Sequence, residues 1–296
     1  MTTNWILGAT GAVGEFLLPM LAARGERVVA LSRNPPGGAT STTVEWQRGD
    51  LFGAMPPLPA SDAIYSLGPL DAFSRWFVPL LDAGAPPPRA LIAIGSMSAE
   101  SKQESTVAAE RSLAARLRAA EACLLDAARR HDVACTILRP TLVYGSGRDR
   151  SLAPLARFAR RWRVLPIPRD AHGLRQPVHA GDLAQACIGA RDAAGAAGRI
   201  YALGGGERLR FDEMLARIAA LPPRVALAMR IPISVLAVAA RVMRTQAAGE
   251  GALSRLKIDL VADNAEAMRD LRFAPRAFRA DEVLPRGRGA DAYADH

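Results

Sequence analysis

Lysine is nearly missing from this chain: of 38 basic side chains only Lys102 and Lys257 are lysine, and the rest are arginine. The formal charge of +9 therefore comes from guanidinium groups scattered in short doublets such as Arg129-Arg130 and Arg160-Arg161. No basic block marks a dedicated nucleic-acid surface, so a nucleic-acid partner is not expected. Association with nucleic acid or a membrane surface through the arginines and residues 222–242 is the minor reading. Cysteine is scarce as well. Cys123, Cys135 and Cys187 are odd in number and far apart, which argues against a disulfide framework or a metal site and predicts small core residues. Long apolar runs are absent. Ile231 to Ala240, between Arg230 and Arg241, is well short of the roughly 20 residues that span a bilayer, so no integral membrane segment is expected. The first residues have no basic stretch ahead of an apolar one, so the expected location is the cytoplasm.

What is present is 296 residues, 50% of them hydrophobic, enough for a sizeable core. An apolar run at Trp5-Ile6-Leu7, a glycine turn, an apolar-periodic segment through Phe16, Leu17, Met20 and Leu21, then Gly25 and Val28 to Leu31 read as strand, turn, helix, strand. Further short apolar runs occur at Val44 to Trp46, Ala63 to Ser66, Leu91 to Ile94, Thr136 to Leu138 and Ile200 to Leu203. Helical or turn segments separate them. This alternation predicts an α/β fold, a doubly wound parallel Rossmann sheet with a smaller C-terminal substrate lobe. Residues 1–145 form the expected nucleotide-binding domain, completed by strands from about 172–204. Residues 146–171 and 205–275 form the lobe, and 276–296 a mobile tail. One long helix is predicted from about Thr106 to Arg130, with Leu113, Leu117, Leu124 and Ala128 on one face.

The turn Gly8-Ala9-Thr10-Gly11-Ala12-Val13-Gly14 places three glycines between a strand and a helix. Small residues there permit a tight turn and close approach of the main chain to a pyrophosphate at the helix N-terminus, which predicts dinucleotide binding. The end of the second strand reads Ser32-Arg33-Asn34. A hydroxyl and a guanidinium in place of a carboxylate suit a ribose 2′-phosphate, so NADP is expected over NAD.

With Gly49-Asp50-Leu51, Ser66-Leu67-Gly68, Leu138-Arg139-Pro140, Val143-Tyr144-Gly145, LRQPVHAGDLA from Leu174 and YALGGGE from Tyr201, the chain resembles the extended short-chain dehydrogenase/reductase superfamily in its nucleotide-sugar epimerase/dehydratase-like branch. The resemblance covers about residues 4 to 275. It implies that Asp50 and Leu51 approach the adenine, that Leu67, Gly68 and Pro140 line the cofactor, and that Arg175 and His179 face a small-molecule substrate; Arg148, after the sixth strand, is expected near substrate because ligands lie outside strand carboxyl ends. Pairing of two copies through the long helix is a further implication.

The chain departs from that family in its proton-transfer residues. The family carries Tyr-x-x-x-Lys on the long helix, where the ammonium lowers the phenol's pKa. Here Tyr occurs only at 65, 144, 201 and 293, with no Lys four residues on, and an alignment through Glu121 puts Leu113 and Leu117 in the two positions. Ser96, Ser98, Tyr144 and Lys102 are the remaining candidate catalytic residues, with Tyr144 and Lys102 a candidate relocated pair. Two functions follow as expectations: an atypical NADP-dependent oxidoreductase, epimerase or dehydratase on a carbonyl, alcohol or nucleotide-linked substrate, or a non-catalytic NADP(H)-binding sensor or scaffold.

Overall fold

Strands buried on both faces read as continuous apolar runs, and the computed structural model pairs seven such runs into one sheet. The structure describes residues 2–36, 43–149, 151–221, 225–232, 235 and 255–284. The strands are β1 (Thr3–Leu7), β2 (Arg27–Ser32), β3 (Val44–Arg48), β4 (Ala63–Ser66), β5 (Ala90–Ile94), β6 (Ala134–Pro140), β7 (Val143–Tyr144), β8 (Val164–Pro168), β9 (Leu174–Arg175), β10 (Val178–His179), β11 (Arg199–Leu203), β12 (Leu209–Arg210) and β13 (Leu227–Ile231). The helices are α1 (Gly14–Ala23), α2 (Leu70–Asp82), α3 (Ser98–Ser101), α4 (Ala108–Arg130), α5 (Leu152–Trp162), α6 (Ala180–Asp192), α7 (Phe211–Ala219) and α8 (Ala265–Leu271).

The central sheet runs β11-β6-β5-β4-β1-β2-β3, every pair parallel. Side chains alternate across it. Ile6, Val28, Ala30, Tyr65, Ile92 and Leu138 pack on one face with Leu17 and Leu21 of α1 and Leu183 and Cys187 of α6. Trp5, Leu7, Val29, Leu31, Ile64, Leu91 and Ile137 pack on the other with Phe73 and Phe77 of α2 and Leu117 and Leu124 of α4. This is the doubly wound Rossmann arrangement, and its strand order reverses at β1, the switch point outside whose strand ends such sheets hold their ligand crevice. Among the described residues no helix is long and apolar enough to cross a membrane.

A third apolar cluster lies outside the sheet. Tyr144, Leu152, Ala156, Leu165, Ile167, Met214, Leu215 and Ile218 surround Phe278 and Val283. The expectation of a mobile tail from residue 276 is thereby corrected for its first part: Phe278 and Val283 are buried, and Arg276 donates from its main chain and guanidinium to Asp182. Two apolar anchors among arginines were enough to dock the segment. Residues 285–296, and residues 222–224, 233–234 and 236–242 of the segment 222–242 noted above, lie outside the described residues. Cys135 and Cys187 are buried, and burial pushes both thiols up to about 12. Cys123 is exposed on the outer face of α4, against expectation, because the helix turns that position away from the leucines.

Candidate functional site

The crevice is built first from main chain. Gly8 closes β1 with φ +79°, a conformation that L side chains rarely adopt, and a Cβ there would press on the Leu67 carbonyl and the Gly68 amide at 3.2 Å. Gly14 opens α1 so close to the Ala9 main chain that a Cβ would overlap it. Between them Gly11 donates to the Gly8 carbonyl at 2.8 Å. Among the described residues, no main-chain bond outside helices and strands uses the amides of Ala12 and Val13, which stand at the N-terminus of α1. Such amides, with the partial positive charge of a helix start, suit an anion.

The neighbouring loops converge on this turn. Thr10 Oγ1 lies 3.2 Å from Ser32 Oγ, which also accepts from the Asn34 amide. Gly49 donates to the Ser32 carbonyl at 3.1 Å. The Asp50 carboxylate accepts from the Phe52 amide at 3.0 Å, and Leu51 Cδ1 would lie 3.6 Å from a Cβ on Gly68. Arg33 is exposed beyond the end of β2, and among the described residues it makes no ion pair. The expected cofactor residues Gly8, Thr10, Gly11, Ala12, Val13, Gly14, Ser32, Arg33, Asn34, Asp50, Leu51, Leu67 and Gly68 thus lie around one crevice. Pro140 borders the adjoining loop, where its carbonyl accepts from Met97. The residues present fit a dinucleotide: glycines where a Cβ would be crowded or, at Gly14, would overlap main chain, donors at a helix start, and no carboxylate among Ser32, Arg33 and Asn34.

Arg148 is the first correction. Expected in the substrate lobe, it reaches back over the glycine turn, donating to the Thr10 carbonyl, with its Nε 3.5 Å from the Glu15 carboxylate. Gly145 and Gly147, both with positive φ, shape the loop that lets it do so.

Beside the crevice, β5 ends at Ile94 and the chain turns through Ser96, whose Oγ accepts from the Ser98 amide at 3.1 Å. Both serines are half-buried, and Lys102 caps the C-terminus of α3. The structure places an ionic relay here that sequence reasoning missed. Glu121 of α4, 1% exposed, accepts two bonds from Arg139, whose third donor reaches Glu100 of α3. Gly95 lies against it, since a Cβ there would stand 3.1 Å from Glu121 Oε1. The signal in the sequence was Arg139 interrupting an apolar strand. Leu113 and Leu117 of α4 pack with the apolar cluster of that face, so neither supplies a proton.

Three further expectations are corrected. Tyr144 is fully buried, accepts from the Arg279 amide at 3.1 Å, and has its phenol pushed up to about 12 by burial. It packs edge-on against His179 and Phe278, and its hydroxyl lies among the main chain of residues 277–279. His179 is buried between Phe16 and Tyr144, and its Nδ1 accepts from the Gly181 amide at 3.0 Å, capping α6. Burial holds its pKa below the usual value. Arg175 is buried too, stacked on Phe211 and donating to the Leu174 and Ile258 carbonyls at 2.8 Å. A cleft of about 610 Å³ lined by Gln176, Gly205, Arg208, Asn264, Met268 and Pro275 shares no residue with the glycine turn, and its amide side chains are bonded to main chain.

Comparison with known proteins agrees with this geometry. Residues 92–204 match the NAD dependent epimerase/dehydratase family. The fold is that of epimerase Mth375 from Methanothermobacter thermautotrophicus, with 15% identity, 95% of this chain and 90% of that one covered, and a TM-score of 0.70. It is equally that of the UDP-glucuronic acid 4-epimerase of Bacillus cereus in complex with NAD, with 13% identity, 96% and 97% coverage and a TM-score of 0.71. A mitochondrial NADH dehydrogenase [ubiquinone] 1 alpha subcomplex subunit 9 from Dictyostelium discoideum is 28% identical over 81 residues, 27% of this chain. That match spans about a fifth of the relative's length, 22%.

Proposed function

We propose that this chain, whose residues 92–204 match the NAD dependent epimerase/dehydratase family, binds NADP(H) across the crevice at β1 and works on a carbonyl, alcohol or nucleotide-linked small molecule. The observation that carries this reading is the glycine turn together with Arg33, which among the described residues makes no ion pair, where a ribose-binding acid would stand. Gly8 to Gly14 would receive the diphosphate with Arg148 above it, Ser32, Arg33 and Asn34 the 2′-phosphate, Asp50 and Leu51 the adenine side, and Leu67, Gly68 and Pro140 the remainder. When bound, the nicotinamide supplies hydride transfer. Ser96 and Ser98, at the end of β5, are the hydroxyls this chain offers a substrate oxygen, with Lys102 next to them. The Glu121, Arg139 and Glu100 relay fixes the neighbouring strand end and helix start.

Calorimetry on the purified chain tests the reading. NADPH binds more tightly than NADH, and Arg33→Ala removes roughly ten- to hundredfold of that preference, the size of one charge-assisted contact. Equal affinities in the parent chain would sink the NADP assignment. Hydride exchange with labelled NADPH is lost in the Ser96→Ala, Ser98→Ala double variant and survives Tyr144→Phe.

Leu113 and Leu117 favour a second reading, in which the chain binds the dinucleotide without turnover as a sensor or scaffold. Tight NADPH binding with no product from a broad carbonyl panel would decide for it.

A further inference from the structure

The C-terminal lobe carries an apolar surface that dinucleotide binding does not use. Strand β13 pairs in parallel with β8, placing Ala228 beside Leu165 and Arg230 beside Ile167. Leu165 and Ile167 belong to the lobe's core, so strand alternation turns Leu227, Met229 and Ile231 to the opposite face, with Val164 and Pro166. Among the described residues no layer covers that face. Leu227 is 65% exposed and Met229 43%. The Leu227 amide donates to the Arg163 carbonyl at 2.8 Å, joining this ribbon to the end of α5, where Trp162 is 63% exposed and stands 6.4 Å, ring to ring, from exposed Phe158.

The segment beside this ribbon is mainly basic, with exposed Asp170 at its end and Asp212 4.0 Å from Arg230. Residues 151–169 hold five arginines and no carboxylate. Among the described residues none of Arg157, Arg160, Arg161, Arg163 and Arg169 pairs with an acid, and Arg161 lies over the Trp162 ring at 5.3 Å. A second copy of this chain would bring these arginines against their equivalents, which disfavours self-association. Duplex nucleic acid would satisfy the arginines and leave Leu227 and Met229 against water or phosphate.

We propose that this face docks on an anionic phospholipid bilayer. Leu227, Met229 and Phe158 enter the headgroup boundary, Trp162 sits at its level, and the arginines meet lipid phosphates. Tryptophan suits that boundary because its ring is apolar and its N–H is polar. Arginine suits it because an aliphatic stem follows apolar surface while the head stays with charge.

Co-sedimentation of the full chain with phosphatidylcholine vesicles, with and without about 30% phosphatidylglycerol, tests this. Binding is expected on the anionic vesicles, with weakening as salt is raised, and a blue shift of tryptophan emission that Trp162→Phe removes. Leu227→Ser with Met229→Ser, and separately Arg160→Glu with Arg161→Glu, each lower the vesicle affinity at least about tenfold and leave NADPH affinity unchanged. Failure to pellet with either vesicle overturns the proposal, as does pelleting that both double variants leave intact or salt-dependent binding to duplex DNA without vesicle binding.

Discussion

One absent methyl group decides how α1 meets β1. Because a Cβ on Gly14 would overlap the Ala9 main chain, Gly14→Ala must push the helix start away from the turn. The expected result is a loss of about 1–3 kcal/mol in denaturant unfolding together with weaker dinucleotide binding in calorimetry. A stable variant with unchanged affinity would contradict the cradle geometry. At His179 the prediction concerns pH. Its ordinary pKa is 6.5, and burial lowers it in the folded protein, with Arg276 adding to the effect and Glu282 and Asp182 opposing it. The unfolded chain therefore binds the proton more readily. The stability contributed by the neutral ring is full above about pH 6.5 and is lost as pH falls below it toward the lower folded value. His179→Asn, which keeps a capping acceptor, should flatten the acid side of the stability profile measured by urea midpoint. Gly8 and Gly14 were readable as cofactor residues because local main-chain geometry selects them. His179 was not, because a buried cap and a substrate ligand look alike until the Gly181 amide and the Phe16 and Tyr144 rings surround it.

At the scale of elements, the strands declared themselves by short apolar runs and α4 by its leucine stripe, since burial on both faces or on one stripe follows directly from side-chain spacing. The same stripe takes the place of the family's proton-transfer pair. Leu117 is 9% exposed within the cluster formed by α2, α4 and the sheet, so a lysine there would have to lose its charge or leave the core. Helix α5 gives a cleaner test. Asp149 Oδ1 accepts from the amides of Ser151, Leu152 and Ala153 at 3.0, 2.6 and 3.1 Å. Asp149→Ala should lower stability by about 0.5–2 kcal/mol in chemical denaturation, the usual loss for such a cap. Asp149→Asn should recover most of it. No change with alanine would mean that the amides find other partners. Because α5 carries both Trp162 and the arginines of the lobe surface, loosening its start also reaches the face assigned to lipid.

For the whole molecule the decisive contacts are distant in sequence. The Tyr144 hydroxyl accepts from an amide 135 residues later, and Asp182 holds Arg276 across 94. Phe278 stands where these contacts meet, edge-on to Tyr144 at 5.1 Å between ring centres. Phe278→Ala should cost roughly 3–5 kcal/mol through the cavity it leaves. The unfolding midpoint should fall while NADPH affinity below the transition stays near the parent value, because Phe278 lines none of the glycine turn. An unchanged midpoint would show that the 276–284 segment does not hold the lobe together.

The sheet, its two helical layers and the glycine cradle were determined by the sequence alone. Strand burial, helix periodicity and the need for missing Cβ atoms are local properties that residue spacing records. Only the tertiary structure decided which charged and aromatic side chains serve a site and which serve the fold. It turned Tyr144, His179 and Arg175 inward, drew Arg148 over the turn, joined Glu121, Arg139 and Glu100, and left Trp162, Leu227 and Met229 uncovered. The physical reason is that the role of a polar or aromatic group depends on its desolvation and its partners, and both come from chain segments far apart in sequence.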